Sequence, residues 1–375
     1  MTADVLIIGG GLAGLFNAIQ LNRAGLQVVV IEKKAYPFHR VCGEYISNEV
    51  LPFLQHLDID VDSLGASHIK RLEITNASGK KFNTHLDLGG FGISRYTFDE
   101  YLYKKAGHEG VKFLLNTRVE DVQFVHNQFE VLIPGNTLTA PLVIGAYGKR
   151  ANLDQKLKRP FFSKRSPYLA VKFHIKADLP DDLIQLNNYK DGYCGVSKVD
   201  GDRYCMCYLA KRDDLRKYGT LAGLEENVIR KNPYLDELFA NAEFLLDKPE
   251  VINEISFEKK APVEQHILMS GDTAGMIAPL CGNGMAMAIH SSKILSHIII
   301  NRFHPNKFTA TDRAELEWAY ERAWDSEFAT RLWAGRQMQR MFGRDSITGL
   351  TISALNNIPP LARFLIRTSH GESFG

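Results

Sequence analysis

The sequence predicts an α/β protein in which a Rossmann-like layer is interleaved with a mostly antiparallel β-sheet domain and followed by C-terminal helices. Three observations carry that prediction. The first 32 residues read strand, glycine turn, helix, strand; the middle of the chain alternates apolar and polar residues between turn signals; and a second glycine-lined helix start returns near residue 271. With 375 residues and 45% apolar content, the chain can bury a large core and exceeds the span of one compact domain. Lys and Arg total 45 against 43 for Asp and Glu, a balance that argues against a nucleic-acid partner.

The elements follow in order. VLII at 5–8 is a short, wholly apolar strand of the kind buried on both faces of a parallel sheet. GGGLAG follows at once, then LFNAIQLNRAG, whose apolar residues recur at helical spacing up to Gly25. QVVVIEK supplies the second strand, ending at Glu32 and Lys33. In this context Gly9 permits the tight turn, Gly11 lets backbone approach a pyrophosphate, and Gly14 lets the helix pack close to the strand. The helix start at Leu12 and Ala13 then offers free N–H groups and partial positive charge to phosphate, and Glu32 can accept hydrogen bonds from a ribose. This fingerprint fits FAD and NAD equally.

The second glycine-lined segment separates them. FAD is too long for one strand–helix–strand unit, so its ribityl chain and ring need a further strand end, turn and helix start. HILMSGDTAGM has that form: His266 to Ser270 reads as a strand, Gly271-Asp272 as a turn, and Gly282-Asn283-Gly284-Met285 opens a helix running through MAMAIHSSKILSHIII. Asp272 can take ribityl hydroxyls. The helix start can aim N–H groups at the edge of the flavin that becomes negative on reduction.

Four segments together resemble the FAD-dependent oxidoreductases of the p-hydroxybenzoate hydroxylase fold, and within them the geranylgeranyl reductase-like branch. They are GGGLAG with Glu32, RVCGEYIS at 40–47, ISRYTFDEYLYKKA at 93–106, and GDTAGMIAPLCGNGMAMA at 271–288. The resemblance implies that the loop holding Cys42 and Gly43 lies beside the flavin, that Arg40 reaches FAD phosphates or the substrate side, and that Arg95 contacts cofactor. Cys42 itself reads either as a small packing residue or as a thiol that tunes the ring or meets substrate. Many relatives carry Gly-Ala-Asp-Gly after the returning strand, whereas LVIGAYGKRAN puts Tyr147 at the acidic position. That departure leaves the electron donor open between NAD(P)H and a redox partner such as a donor protein or separate flavin reductase.

After it, KRANLDQKLKRPFFSKR carries seven positive charges from Lys149 to Arg165 against one Asp. It reads as a solvated loop or as a docking patch for a phosphate-bearing ligand or an acidic carrier protein. Runs such as YLAVKFHI and RYCMCYLA are strand-like, with turns at Ala77-Ser78-Gly79 and Asp200-Gly201. The segment DGYCGVSKVDGDRYCMCYLA aligns with the reductase family's Tyr-x-Trp-x-Phe-Pro region but lacks its Trp and Phe-Pro. The Trp-x-Trp-x-Ile-Pro segment of halogenase relatives is missing too, since Trp318, Trp324 and Trp333 are the only tryptophans. LTISALNNIPPLARFLIRTSHG near the end reads as an apolar helix pair that packs on the cofactor domain, caps a lipophilic pocket or makes peripheral membrane contact.

Domain boundaries follow. Residues 1–75, 95–165 and 259–304 are assigned to the FAD-binding domain, 76–94 and 166–258 to the substrate domain, and 305–375 to a C-terminal helical region. Five cysteines, Cys42, Cys194, Cys205, Cys207 and Cys281, form no CxxC pair, and twelve histidines no HExxH, so neither a disulfide framework nor a metal site is indicated. The N-terminus has no signal-peptide pattern and the apolar runs fall short of a membrane span, which predicts a cytoplasmic protein. The expected activity is FAD-dependent reduction of a carbon–carbon double bond in a hydrophobic, isoprenoid- or polyketide-like molecule. The alternatives are a flavin-dependent monooxygenase of an aromatic or polyketide substrate, a halogenase, or a non-catalytic flavoprotein. Catalysis would centre on the flavin, with Cys42 and Tyr193 as candidate side chains and Tyr193, His85 or His174 as proton donors.

Overall fold

A computed structural model describes residues 3–164, 166–253, 255–278, 280, 282–305, 307–341, 345–358 and 371–375. The first sheet has six strands in the order Val263–Glu264, Ile267–Met269, Leu142–Gly145, Val5–Ile8, Val28–Ile31 and Lys112–Leu114. All neighbours are parallel except the first pair. The two N-terminal strands are buried at every residue, which is why they read as unbroken apolar runs. Helices Leu12–Arg23 and Gly284–Arg302 pack on each other beside this sheet, and the first also packs on Arg95–His108.

The second sheet is larger and mostly antiparallel. Its order is Glu243–Phe244, Tyr168–Lys176, Tyr204–Lys211, Gly192–Lys198, Leu183–Tyr189, Ser67–Thr75, Lys81–Gly92 and Tyr45–Ser47, with Glu250–Asn253 also paired to Tyr168–Lys176. This moves one expected boundary, because Ser67–Thr75 and Tyr45–Ser47 belong to this sheet and not to the Rossmann-like layer. The cause is pairing: Ser67–Thr75 lies between Lys81–Gly92 and Leu183–Tyr189 and is hydrogen-bonded to both.

Strand alternation gives this sheet two chemically different faces. Leu169, Val171, Phe173 and Ile175 join Tyr204, Met206 and Tyr208 in a core under the short helices Arg212–Tyr218, Leu221–Asn227 and Pro233–Asn241. The opposite face looks toward the cofactor layer and carries the residues between them. A separate three-stranded meander, 121–140, sits on the Rossmann side. The long helix Ala310–Met341 buries Leu316, Tyr320, Trp324 and Phe328 in the first core, while Trp318 and Trp333 remain 57% and 59% exposed. Helix Asp345–Asn357 places Ile352 and Leu355 against Ile69, Leu72 and Ile74 of the large sheet. The remainder of the expected second apolar helix, 359–370, lies outside the described residues. Among the described residues no helix is long and apolar enough to cross a membrane.

Gly92 shows how tightly the sheet is closed, since a Cβ there would stand 1.8 Å from the Lys198 carbonyl oxygen. Backbone on both sides leaves no flexible atom to give way, so Gly92→Ala is expected to lose on the order of 3 kcal/mol, read as a lowered denaturant midpoint at unchanged slope.

Candidate functional site

The nucleotide end is built by close approach. Gly9 has φ +104, and a Cβ on it would stand 2.5 Å from the Ala146 carbonyl oxygen; one on Gly14 would stand 2.0 Å from the Gly9 oxygen. Gly11 differs: its Cβ would meet only Arg95 Nη2 at 3.5 Å and Arg40 Cζ at 4.0 Å. The helix start at Leu12 and Ala13 therefore opens toward two guanidinium groups, as an anion requires. Glu32, 4% exposed, accepts from the Gly10 N–H at 2.9 Å, from Arg40 at 3.2 Å and from the Lys34 N–H at 3.1 Å. Lys33 lies exposed next to it and makes no hydrogen bond to this cradle among the described residues.

One carboxylate aligns both arginines. Asp99, 2% exposed, accepts from Arg40 Nε at 2.9 Å and from Arg95 Nε and Nη2 at 2.6 and 2.7 Å. The sequence reading took Arg95 from its motif and missed Asp99. The available signal was the i, i+4 spacing that puts both on one helix face. The second domain supports the same helix: Ser94 caps it by accepting from the Thr97 N–H, and Asp200 in the turn read at Asp200-Gly201 accepts from the Ser94 N–H and the Thr97 hydroxyl.

At the other end, Gly271 adopts φ +65, and a Cβ there would stand 2.9 Å from the Ala13 Cβ. The turn thus lies directly on the first helix. A polar seam adds to this contact, with Ser291 Oγ accepting from the Gly271 N–H at 2.9 Å and Asn17 donating to Ser270 Oγ at 3.1 Å. The Asp272 carboxylate is half-buried and has no hydrogen bond among the described residues. Its carbonyl and that of Lys149 both accept from Lys260 Nζ at 2.7 Å. Burial brings that lysine down to about 8, against the opposing pull of Asp272 and Asp154. Lys260, invisible in the sequence, ties the Asp272 turn to the returning strand.

At the second helix start, Gly282 is 3.4 Å from Tyr45 measured at an added Cβ, and Gly284 and Met285 begin the helix. Asn283 donates to Glu49 at 3.1 Å while its Oδ1 is buried without a partner among the described residues. Cys281 lies outside the described residues. The cationic cradle over Gly11, the Asp272 carboxylate and the Asn283 Oδ1 at the second helix start fit FAD, which these residues would hold and which would supply the redox chemistry.

Between these ends runs the Cys42–Gly43–Glu44 loop. Glu44 has left-handed backbone, φ 56, and is fully buried. Its carboxylate accepts from the Arg95 N–H at 2.7 Å, from His174 Nε2 at 2.6 Å and from the fully buried Lys172 ammonium. Burial alone would raise its pKa, but Lys172 and His174 outweigh it and bring Glu44 to about 2. Cys205 donates its thiol to the Cys42 carbonyl at 3.3 Å. Glu44, His174 and Cys205 thereby bring oxygen, nitrogen and sulfur within 4.8 Å, a metal-like grouping that no sequence spacing indicated. The Lys172 ammonium on the same carboxylate and the engaged thiol make it a hydrogen-bonded cluster instead.

The large sheet supplies the rest of this surface. Its register sets Lys172 beside Cys207, then Gly195, Leu186 and Ile74, and in the next row His174 beside Cys205, Ser197, Ile184 and Leu72. Gly195 is open, since an added Cβ would meet nothing nearer than Leu186 at 3.8 Å. Tyr193 lies on this face opposite Leu209, and Cys42 is half-buried across from it. His85 does not join them. It is exposed on Lys81–Gly92, which removes it as a proton donor. Tyr147 turns its hydroxyl to Asp154 at 3.2 Å, filling space beside Met269. The basic stretch is largely spent on structure: Arg159 is buried against Asp154, Arg150 donates to the Phe162 carbonyl, Lys149 to the Val41 carbonyl and Lys164 to Glu258, while Arg165 lies outside the described residues.

Comparison with known proteins gives the family and the fold. The family model described as FAD binding domain matches residues 2–303. The chain is 23% identical to 3-hydroxybenzoate 6-hydroxylase of Klebsiella oxytoca over 90% of its length and 88% of the relative's. It is 24% identical to digeranylgeranylglycerophospholipid reductase 2 of Methanopyrus kandleri, covering 88% and 83%. A flavin-dependent brominase structure superposes with TM-score 0.80 at 21% identity over 100% of this chain and 95% of that one.

Asp99→Asn should loosen both arginines at once and weaken FAD binding by about tenfold or more, about 1.4 kcal/mol, measured by fluorescence titration of the apoprotein. Glu44→Gln leaves Lys172 buried without its counter-charge and should cost about 3–5 kcal/mol of stability. In the unsubstituted protein the Glu44 contribution is fully present above its ordinary value of 4.5 and is lost as pH falls toward about 2. Acid unfolding of Glu44→Gln, followed by circular dichroism, should therefore be flatter across that window.

Proposed function

The chain belongs to the FAD binding domain family, and we propose that this FAD-dependent oxidoreductase reduces a carbon–carbon double bond in a hydrophobic, isoprenoid- or polyketide-like small molecule. The observation that carries this reading is the polarity gradient across the inner face of the large sheet. Lys172 and His174 stand at one side, the Cys205 and Cys207 thiols and open Gly195 come next, and Leu186, Ile184, Leu72 and Ile74 meet Ile352 and Leu355 of the C-terminal helix at the other. An apolar chain would lie on the second part with its reacting bond toward the first, next to the loop of Cys42 and Glu44. Saturating a double bond consumes a hydride and a proton. The sheet side therefore needs protonatable groups, and these are present.

The name of the Methanopyrus kandleri reductase supports the same reading, and the names of the hydroxylase and the brominase support hydroxylation or halogenation as the alternatives. Tyr147, held by Asp154 where relatives carry an acid, supports electron delivery by a redox partner or separate flavin reductase over direct docking of NAD(P)H.

The FAD-loaded protein, reduced chemically without air and mixed with geranylgeraniol, should reoxidise while the alcohol gains two hydrogen atoms by mass. Flavin that stays reduced until oxygen enters, and then hydroxylates 3-hydroxybenzoate, would establish the monooxygenase reading instead. Gly195→Leu fills the open floor and should lower kcat/KM for the alcohol by about tenfold or more, with FAD affinity unchanged.

A further inference from the structure

Helix Gly284–Arg302 lacks the cap that its sequence offers. An asparagine ahead of a helix ordinarily has extended backbone and turns its side-chain oxygen onto the N–H of the second or third helical residue. Asn283 does neither. Its backbone sits at φ −109 and ψ 15, and it makes no side-chain cap hydrogen bond among the described residues. Its Nδ2 is drawn instead to Glu49 at 3.1 Å. The first N–H groups of the helix are thereby spared for a ligand, as a group that gains negative charge requires.

What holds Glu49 comes from residues more than 280 positions further along the chain. Gly371 donates its N–H to the buried Glu49 carboxylate, and Phe374 donates its N–H to the Glu49 carbonyl at 3.1 Å. Arg331 adds a positive charge at 3.8 Å. Gly371 fits because it is bare: a Cβ on it would stand 2.6 Å from Glu49 Oε2 and 2.4 Å from Arg331 Nη2. The buried Phe374 ring stacks on His290 at 4.0 Å, so this segment also grips the helix whose start Glu49 governs. Burial pushes the Glu49 carboxyl up, against the pull of Arg331, Gly371 and Asn283. The carboxylate therefore depends on these donors.

We propose that residues 371–374 are a strap that keeps the second helix start uncapped for the flavin, with Glu49 as the positioning residue between strap and helix. While the strap is seated, Glu49 holds Asn283 Nδ2 and the helix N–H groups stay free. When it lifts, Glu49 loses both backbone donors, and Asn283 returns to the extended backbone that favours capping. Its Oδ1 then takes the Met285 or Ala286 N–H. That cap competes with the flavin for the same donors and withdraws their partial positive charge from the reduced ring. Strap seating thus sets cofactor affinity and potential together. The inference rests on FAD binding and is independent of the double-bond reading.

The test is a double-substitution cycle on the full chain, read without any organic substrate. FAD affinity is measured by titrating the apoprotein, and the potential of the bound flavin by equilibration with a reference dye. Phe374→Ala, which removes the stacked ring, should weaken FAD binding about fivefold and lower the potential. Gly371→Ala, whose new methyl group pushes against Glu49, should do the same and decides the matter if Phe374→Ala fails to fold. Asn283→Ala has no side-chain oxygen with which to cap. In that background each strap substitution should change affinity by less than about twofold and leave the potential where Asn283→Ala puts it. Strap substitutions that cost as much in the Asn283→Ala background as in the unsubstituted chain, or that weaken FAD without moving the potential, would reduce the segment to packing and overturn the proposal. Neither readout depends on geranylgeraniol, so a failure to saturate it bears on the double-bond reading alone.

Discussion

A carboxylate sealed from water must find its donors inside the protein, and Glu44 is the group on which this architecture turns. Its side chain belongs to the cofactor-side loop, two of its three donors belong to the large sheet, and the third is the backbone N–H of Arg95 at the start of a helix that faces the nucleotide cradle. A single buried charge therefore fixes three elements in one relation. It also forces the loop into left-handed backbone at a non-glycine residue, strain that only strong partners sustain. Cys42 inherits its position from this arrangement.

The candidate cofactor site repeats the same arrangement. Two guanidinium groups converge over Gly11 because Asp99 neutralises and orients both, leaving their outer edges for phosphate. Farther along, Lys260 draws the Asp272 turn and the Lys149 strand end together through two carbonyls, and Glu49 holds the Asn283 side chain. Each end of the candidate cofactor site is thus shaped by a buried ion whose partners come from distant parts of the chain. The glycines supply the close approach and the ions supply the aim.

The sheet face opposite the loop is where members of one fold can diverge. Its framework is hydrogen-bonded strands backed by a helical layer, and the side chains of the inner rows point away from the core behind them. In this chain those rows grade from ammonium and imidazole through thiols to aliphatic carbons, and the C-terminal helix closes the aliphatic end. Such a surface suits a substrate that is largely hydrocarbon with chemistry at one position. Fold likeness carries no such information.

Local sequence determined the Rossmann-like start, the second glycine-lined helix start and the antiparallel middle, because strand runs, positive-φ glycines and helix starts are set by neighbours in the chain. It therefore made Gly9, Gly11, Gly14, Asp272 and Asn283 legible. It misplaced 67–75, since an amphipathic strand does not say which sheet it will join, and it kept His85 in view, since periodicity alone does not say which face is covered. Tertiary structure alone decided the work of Glu44, Lys172, His174, Asp99, Asp200 and Lys260. A charge gains its meaning from the partner it meets when the chain closes, and these partners lie as many as 130 residues away.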